Sequence, residues 1–163
     1  MKFAQEHFEE AARYFTASLV VEYGVVPAVF EHLVRLHMGS AAHSVVSTDG
    51  TFSHDKFMPY AALGFLRGNL TEKEVLQSVE PNPRDRARDL ADRALARFVL
   101  AESCRLRGDK VGERAHLEAC VATRAFDSEP FSLATLRLRQ LEDDQGSSVP
   151  VAPVAPPPGA AGR

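Results

Sequence analysis

Residues 108–141, GDKVGERAHLEACVATRAFDSEPFSLATLRLRQL, decide how this chain is read. Gly108 can end one helix in the left-handed conformation, and Asp109 can cap the next through its side chain. Ala115, Ala119 and Ala122 follow at helical spacing, and small residues four and three apart permit two helix backbones to approach closely. Asp127-Ser128-Glu129-Pro130 is then a second start signal, leading into Phe131, Ala134, Leu138 and Leu141. The expected unit is a pair of antiparallel helices.

The register extends upstream. Ala11, Phe15 and Ser18 lie 104 positions before Ala115, Ala119 and Ala122, and Gly39 lies 69 before Gly108. Both offsets fall within two residues of a multiple of about 34, the length of a tetratricopeptide-type helix-turn-helix repeat. The fold class expected is all-α: a helical-repeat array over residues 1–145 ending in a cap helix, with a disordered tail over 146–163.

Four stretches carry a resemblance to a known family. They are Phe57-Met58-Pro59 before LGFLRG, Leu70-Thr71-Glu72-Lys73-Glu74-Val75-Leu76, Phe98-Val99-Leu100-Ala101-Glu102 running into Gly108-Asp109, and Ala119-Cys120-Val121-Ala122-Thr123. In that order and spacing, the chain from about Phe8 to Leu141 resembles the bacterial tetratricopeptide adaptors of the NlpI lipoprotein type and their soluble relatives. It departs from them in having no signal peptide or lipidated cysteine near Met1, about two extra residues in the turn over 108–113, and no leading helix in the first unit. The resemblance therefore does not imply an envelope location. It does imply that the first helix of each pair lines a concave groove. With Ala101 at the small-residue position and Gly108 at the turn, Phe98, Glu102 and Arg105 fall on the groove wall. Ala61 and Phe65 join them from the helix around Gly64, and Val29, Leu33 and His37 from the helix before Gly39.

Composition bounds the function. A chain of 163 residues with 45% hydrophobic content can bury one core. The formal charge of −3 offers no general attraction to a phosphate backbone, so no nucleic-acid partner is expected. Cys104 and Cys120 are the only cysteines and form neither a CxxC nor a Cys/His cluster, which reads as two buried thiols in a reducing compartment. No apolar run approaches the roughly 20 residues that span a bilayer. Cytoplasmic location without a membrane partner is expected.

Local signals place the helices. A first helix is expected over about 3–22, ended by Gly24. A second covers about 28–38, with Pro27 in its first turn and Gly39 closing it. A short third helix is expected over 40–46, before the turn Ser47-Thr48-Asp49-Gly50. Pro59 opens a helix through Tyr60, Leu63 and Leu66 that ends at Gly68, and Thr71 with Glu74 forms a capping box for the next. After Pro81 and Pro83, residues 84–107 read as one helix of about 24 residues, about 36 Å long, with Ala87, Leu90, Ala91, Ala94, Leu95, Phe98 and Ala101 facing inward. Such a helix outruns its partner. The tail holds half of the ten prolines and no acidic residue, the composition of a polyproline-like spacer.

The residues that could carry chemistry do not converge. His32 and His37 are five apart, which turns them away from each other on a helix, whereas a metal pair wants four. His54-Asp55 reads as a helix start. Arg84, Arg86, Arg88, Arg93 and Arg97 resemble a basic recognition helix, yet Asp85, Asp89 and Asp92 interleave them. Arg88 with Asp92 and Asp89 with Arg93 then make four-residue ion pairs on a solvated face. No nucleophile stands beside a base. The expected function is non-enzymatic: an adaptor or scaffold that binds a protein or peptide and needs no cofactor or metal. The alternatives are a homo-oligomerising structural subunit without a ligand groove, whose apolar face near Phe8, Phe15 and Leu19 needs a second copy, and an all-helical enzyme.

Overall fold

The computed structural model describes residues 25–39, 58–79 and 85–146, with the single positions Glu10 and Arg13. Every regular element among them is a helix: α1 (Val25–His37), α2 (Tyr60–Leu66), α3 (Glu72–Gln77), α4 (Arg86–Leu106), α5 (Lys110–Ala122) and α6 (Glu129–Gly146). The helix expected over 3–22, apart from Glu10 and Arg13, the helix over 40–46, the turn at 47–50, His54-Asp55, the break at Pro81 and Pro83, and the tail beyond Gly146 lie outside the described residues.

The helix ends follow their local sequence. Gly39, Gly68 and Gly108 all have positive φ, at 68°, 78° and 76°. After α4, the Gly108 amide donates to the Arg105 carbonyl and the Asp109 amide to that of Cys104, the paired bonds of a Schellman motif; Gly68 and Asn69 repeat them after α2. Thr71 and Glu74 form the expected capping box at α3. Asp85 caps α4 by accepting from the Arg88 amide, and Asp109 caps α5 by accepting from the Gly112 amide, at 3.0 and 2.9 Å. Arg124 takes the left-handed position after α5, with φ 59°, where glycine is the usual occupant.

α4 is the axis of the fold. It packs with α5 and α6 as a three-helix bundle, and α1, α2 and α3 also lie against it. Ala94, Leu95, Ala96, Phe98, Val99, Leu100, Ala101 and Glu102 are all buried, so its C-terminal half is enclosed nearly all round. With 21 residues against 13, α4 does outrun α5. The loop between α5 and α6 lies beside the overhang, where Ala87, expected to face inward, is exposed and Leu90 and Ala91 are half-buried.

Two features depart from the expected array. The three left-handed glycines divide their 69-residue span into 29 and 40, and α2 and α3 have only 7 and 6 residues. The helix pairs are therefore unequal. The second departure is the alanine stripe of α5: Ala115 and Ala122 are exposed and Ala119 half-buried, while Glu113, Leu117 and Cys120 form the buried face. Close approach of α5 to α4 comes instead at Gly112, where an added Cβ would press on the Cys104 sulfur and on the Asp109 carboxylate. Cys104 thus faces Gly112 across the hairpin.

Candidate functional site

The eight residues expected on a groove wall divide into two sets. Val29, Leu33, Ala61 and Phe98 belong to the hydrophobic core, and Phe65 is half-buried against it. Val29 and Ala61 have 0% exposure, and Phe98 packs on Phe30 with ring centroids 6.0 Å apart. These five are packing residues, a correction with a simple cause: the stripe of α4 that would line a groove is the stripe on which α1 and α2 dock.

The polar members come together. His37 Nε2 lies 2.6 Å from Glu102 Oε2, and Arg105 Nη1 lies 3.4 Å from the same oxygen. Burial pushes the Glu102 carboxyl up, but the His37 hydrogen bond and the charges of Arg105 and Arg137 outweigh it and hold the group below its ordinary value. Arg137 on α6 also reaches the buried Glu113 of α5 at 2.7 Å. A charged layer therefore crosses α1, α4, α5 and α6. Glu102 is 6% exposed, so its contact with His37 is an internal clasp, with the half-buried Arg105 at its rim.

The open site lies elsewhere. A groove of about 500 Å³ runs between α3, α4 and α5, lined by Leu76, Val79, Leu90, Ala96, Ala119 and Ala122, with Arg93, Arg97 and Thr123 among them. Its volume is within the roughly 300–1,000 Å³ of ligand pockets. Ala119 and Ala122 help to create it, since methyl groups on the outer flank of α5 leave the space unfilled.

Arg93 is matched within the fold by Asp89, with Nε–Oδ1 and Nη2–Oδ2 both at 3.2 Å. The expected Arg88–Asp92 pair is also present, at 3.9 Å. Arg97 differs. Its guanidinium reaches His116 Nδ1 at 3.3 Å, while His116 Nε2 lies 3.3 Å from Glu72 Oε1. Burial, together with the neighbouring Arg97 and Arg107, pushes the imidazole pKa down against the pull of Glu72. The neutral ring can accept from Arg97 and donate to Glu72.

Sequence reasoning missed this groove. In the sequence, Ala119 and Ala122 read as small residues at a helix contact. Arg97 carries a legible signal, because Arg93 and Ala101 stand four residues away and no acid stands at helical spacing. A second groove of about 340 Å³ lies under the α5–α6 loop, lined in part by Ala87, Ala91, Ala125 and the exposed Phe126. No described protein family, curated protein or solved structure matches the chain.

Proposed function

We propose that this chain is a bacterial tetratricopeptide-like adaptor of the cytoplasm, which acts by binding a protein or peptide segment and performs no chemistry of its own. The observation that carries the reading is the α3–α4–α5 groove, an open cleft between helices where six apolar residues stand beside Arg93, Arg97 and Thr123. Such a cleft suits side chains projecting from a partner chain, where apolar burial supplies affinity and a charge supplies orientation. The unbridged, buried Cys104 and Cys120 fit a reducing compartment.

Selection of a random peptide display library on the full chain tests the adaptor reading. Related sequences that bind as free peptides at micromolar affinity are the expected result. A library yielding no specific binder would overturn it.

Self-association is the second reading, favoured by α6. Leu133 and Leu136 are exposed on its outer face among polar residues such as Ser132, Arg139 and Gln140, an apolar pair that a second copy could cover. Sedimentation equilibrium decides this: a dimer that Leu136→Glu dissociates would put self-association ahead.

A further inference from the structure

We propose that the α3–α4–α5 groove selects a peptide segment carrying an aliphatic side chain beside a side-chain carboxylate, and that Arg97 is the residue that reads the carboxylate. This deepens the adaptor reading and rests on it. The charge pattern of the groove carries the argument. Arg93 forms a two-point pair with Asp89 and offers a partner little unmatched charge. Thr123 is committed as well, donating to the Cys120 carbonyl and accepting from the Ala125 amide. Arg97 has an imidazole as its hydrogen-bond partner and no carboxylate in ion-pair contact among the described residues. A guanidinium presents five donors in a planar fork suited to a carboxylate, so a neutral ring nitrogen leaves most of that capacity unused.

The apolar lining defines the rest of the ligand. Leu76 and Val79 come from α3 and its C-terminal end, Leu90 and Ala96 from α4, and Ala119 and Ala122 from α5. They form the apolar part of the groove, beside Arg97. A carboxylate entering alone would leave that part wet, and an aliphatic side chain alone would leave Arg97 unmatched. A segment with both removes apolar surface from water and completes an ion pair in a partly desolvated setting.

The test uses the full ¹⁵N-labelled chain and a capped peptide alternating glutamate with leucine, compared with its glutamine and lysine counterparts. The glutamate peptide is expected to shift the amides of Leu76, Arg97, Ala119 and Ala122. It should bind at least about tenfold more tightly than the glutamine peptide, the scale of one charge-assisted hydrogen bond, and the lysine peptide should bind more weakly still. Arg97→Gln should erase the difference between the glutamate and glutamine peptides. Ala122→Leu, at an exposed helical position, should fill the apolar part of the groove and weaken both, while Arg88→Gln should change neither.

Equal binding of glutamate and glutamine peptides, or a difference that survives Arg97→Gln, would overturn the proposal. Library-selected peptides that bind but shift only residues outside the groove would overturn it while leaving the adaptor reading standing. Failure of every peptide, including the library, would remove both. Concentration-dependent shifts at the groove without peptide would assign it to a second copy of the chain and overturn the proposal.

Discussion

The His37 imidazole and the Glu102 carboxylate, 65 residues apart in the chain, meet at 2.6 Å and fasten the C-terminal end of α1 to the last turns of α4. Because Glu102 is buried, the contact is structural. Arg105 and Arg137 add positive charge around the same carboxylate, so its ionised form is favoured in the fold despite the cost of burial.

That balance sets a pH dependence. A carboxyl whose folded pKa lies below its unfolded value of about 4.5 contributes stability that is fully present above that pH and is lost as pH falls through the lower folded value. Urea midpoints measured between pH 7 and pH 3 should show Glu102→Gln less stable than wild type at pH 7, with the gap narrowing below about pH 4.5. A gap that stays constant down to pH 3 would show that Glu102 is not held ionised by its neighbours.

Arg137→Ala should be among the most damaging changes on α6. It leaves the buried Glu113, now 2.7 Å from Arg137 Nε, without its cation, and breaking one side of a buried pair costs about 3–5 kcal/mol. The double variant Glu113→Met/Arg137→Met should recover much of the loss, because matched apolar replacement removes the stranded charge. Denaturant unfolding of the three proteins checks this; a loss under about 1 kcal/mol for Arg137→Ala would place the pair at the surface.

Arg124→Gly should stabilise the chain. Arg124 holds φ at 59°, a conformation costing a residue with a Cβ about 1–2 kcal/mol, and glycine's larger unfolded-state entropy offsets only part of that relief. A gain of about 0.5–1 kcal/mol is expected, read as a rise of a few degrees in Tm. A fall in Tm would show that the exposed arginine makes a contact worth more than the backbone strain.

Both thiols should resist alkylation in the native protein and react in denaturant. Burial pushes the Cys120 thiol up to about 12 and also raises that of Cys104, where the nearby Arg107 pulls the other way. Since the thiolate is the reactive form, Cys120 should label more slowly than Cys104 at pH 8. Peptide mass mapping after timed iodoacetamide treatment measures the order; prompt native labelling of Cys120 would contradict its position, 3.3 Å from the Ala94 carbonyl and 3.6 Å from that of Pro130.

What the sequence determined was local. Gly39, Gly68 and Gly108 end their helices, Thr71 with Glu74 and Asp109 begin theirs, and Asp89 pairs with Arg93 because each interaction closes within about four residues of backbone. An all-α chain with one dominant helix was legible from such signals. The site was not. Alanine is as compatible with a buried flank as with an exposed one, so the face that α5 turns inward was decided by the surfaces of α4 and α6, which took Leu117 and Cys120 and left Ala119 and Ala122 at the groove. The burial of Glu102 and Glu113 likewise depends on His37, 65 residues away, and Arg137, 24 residues away. A charge enters the interior only when its partner arrives there, and tertiary packing alone brings those partners together.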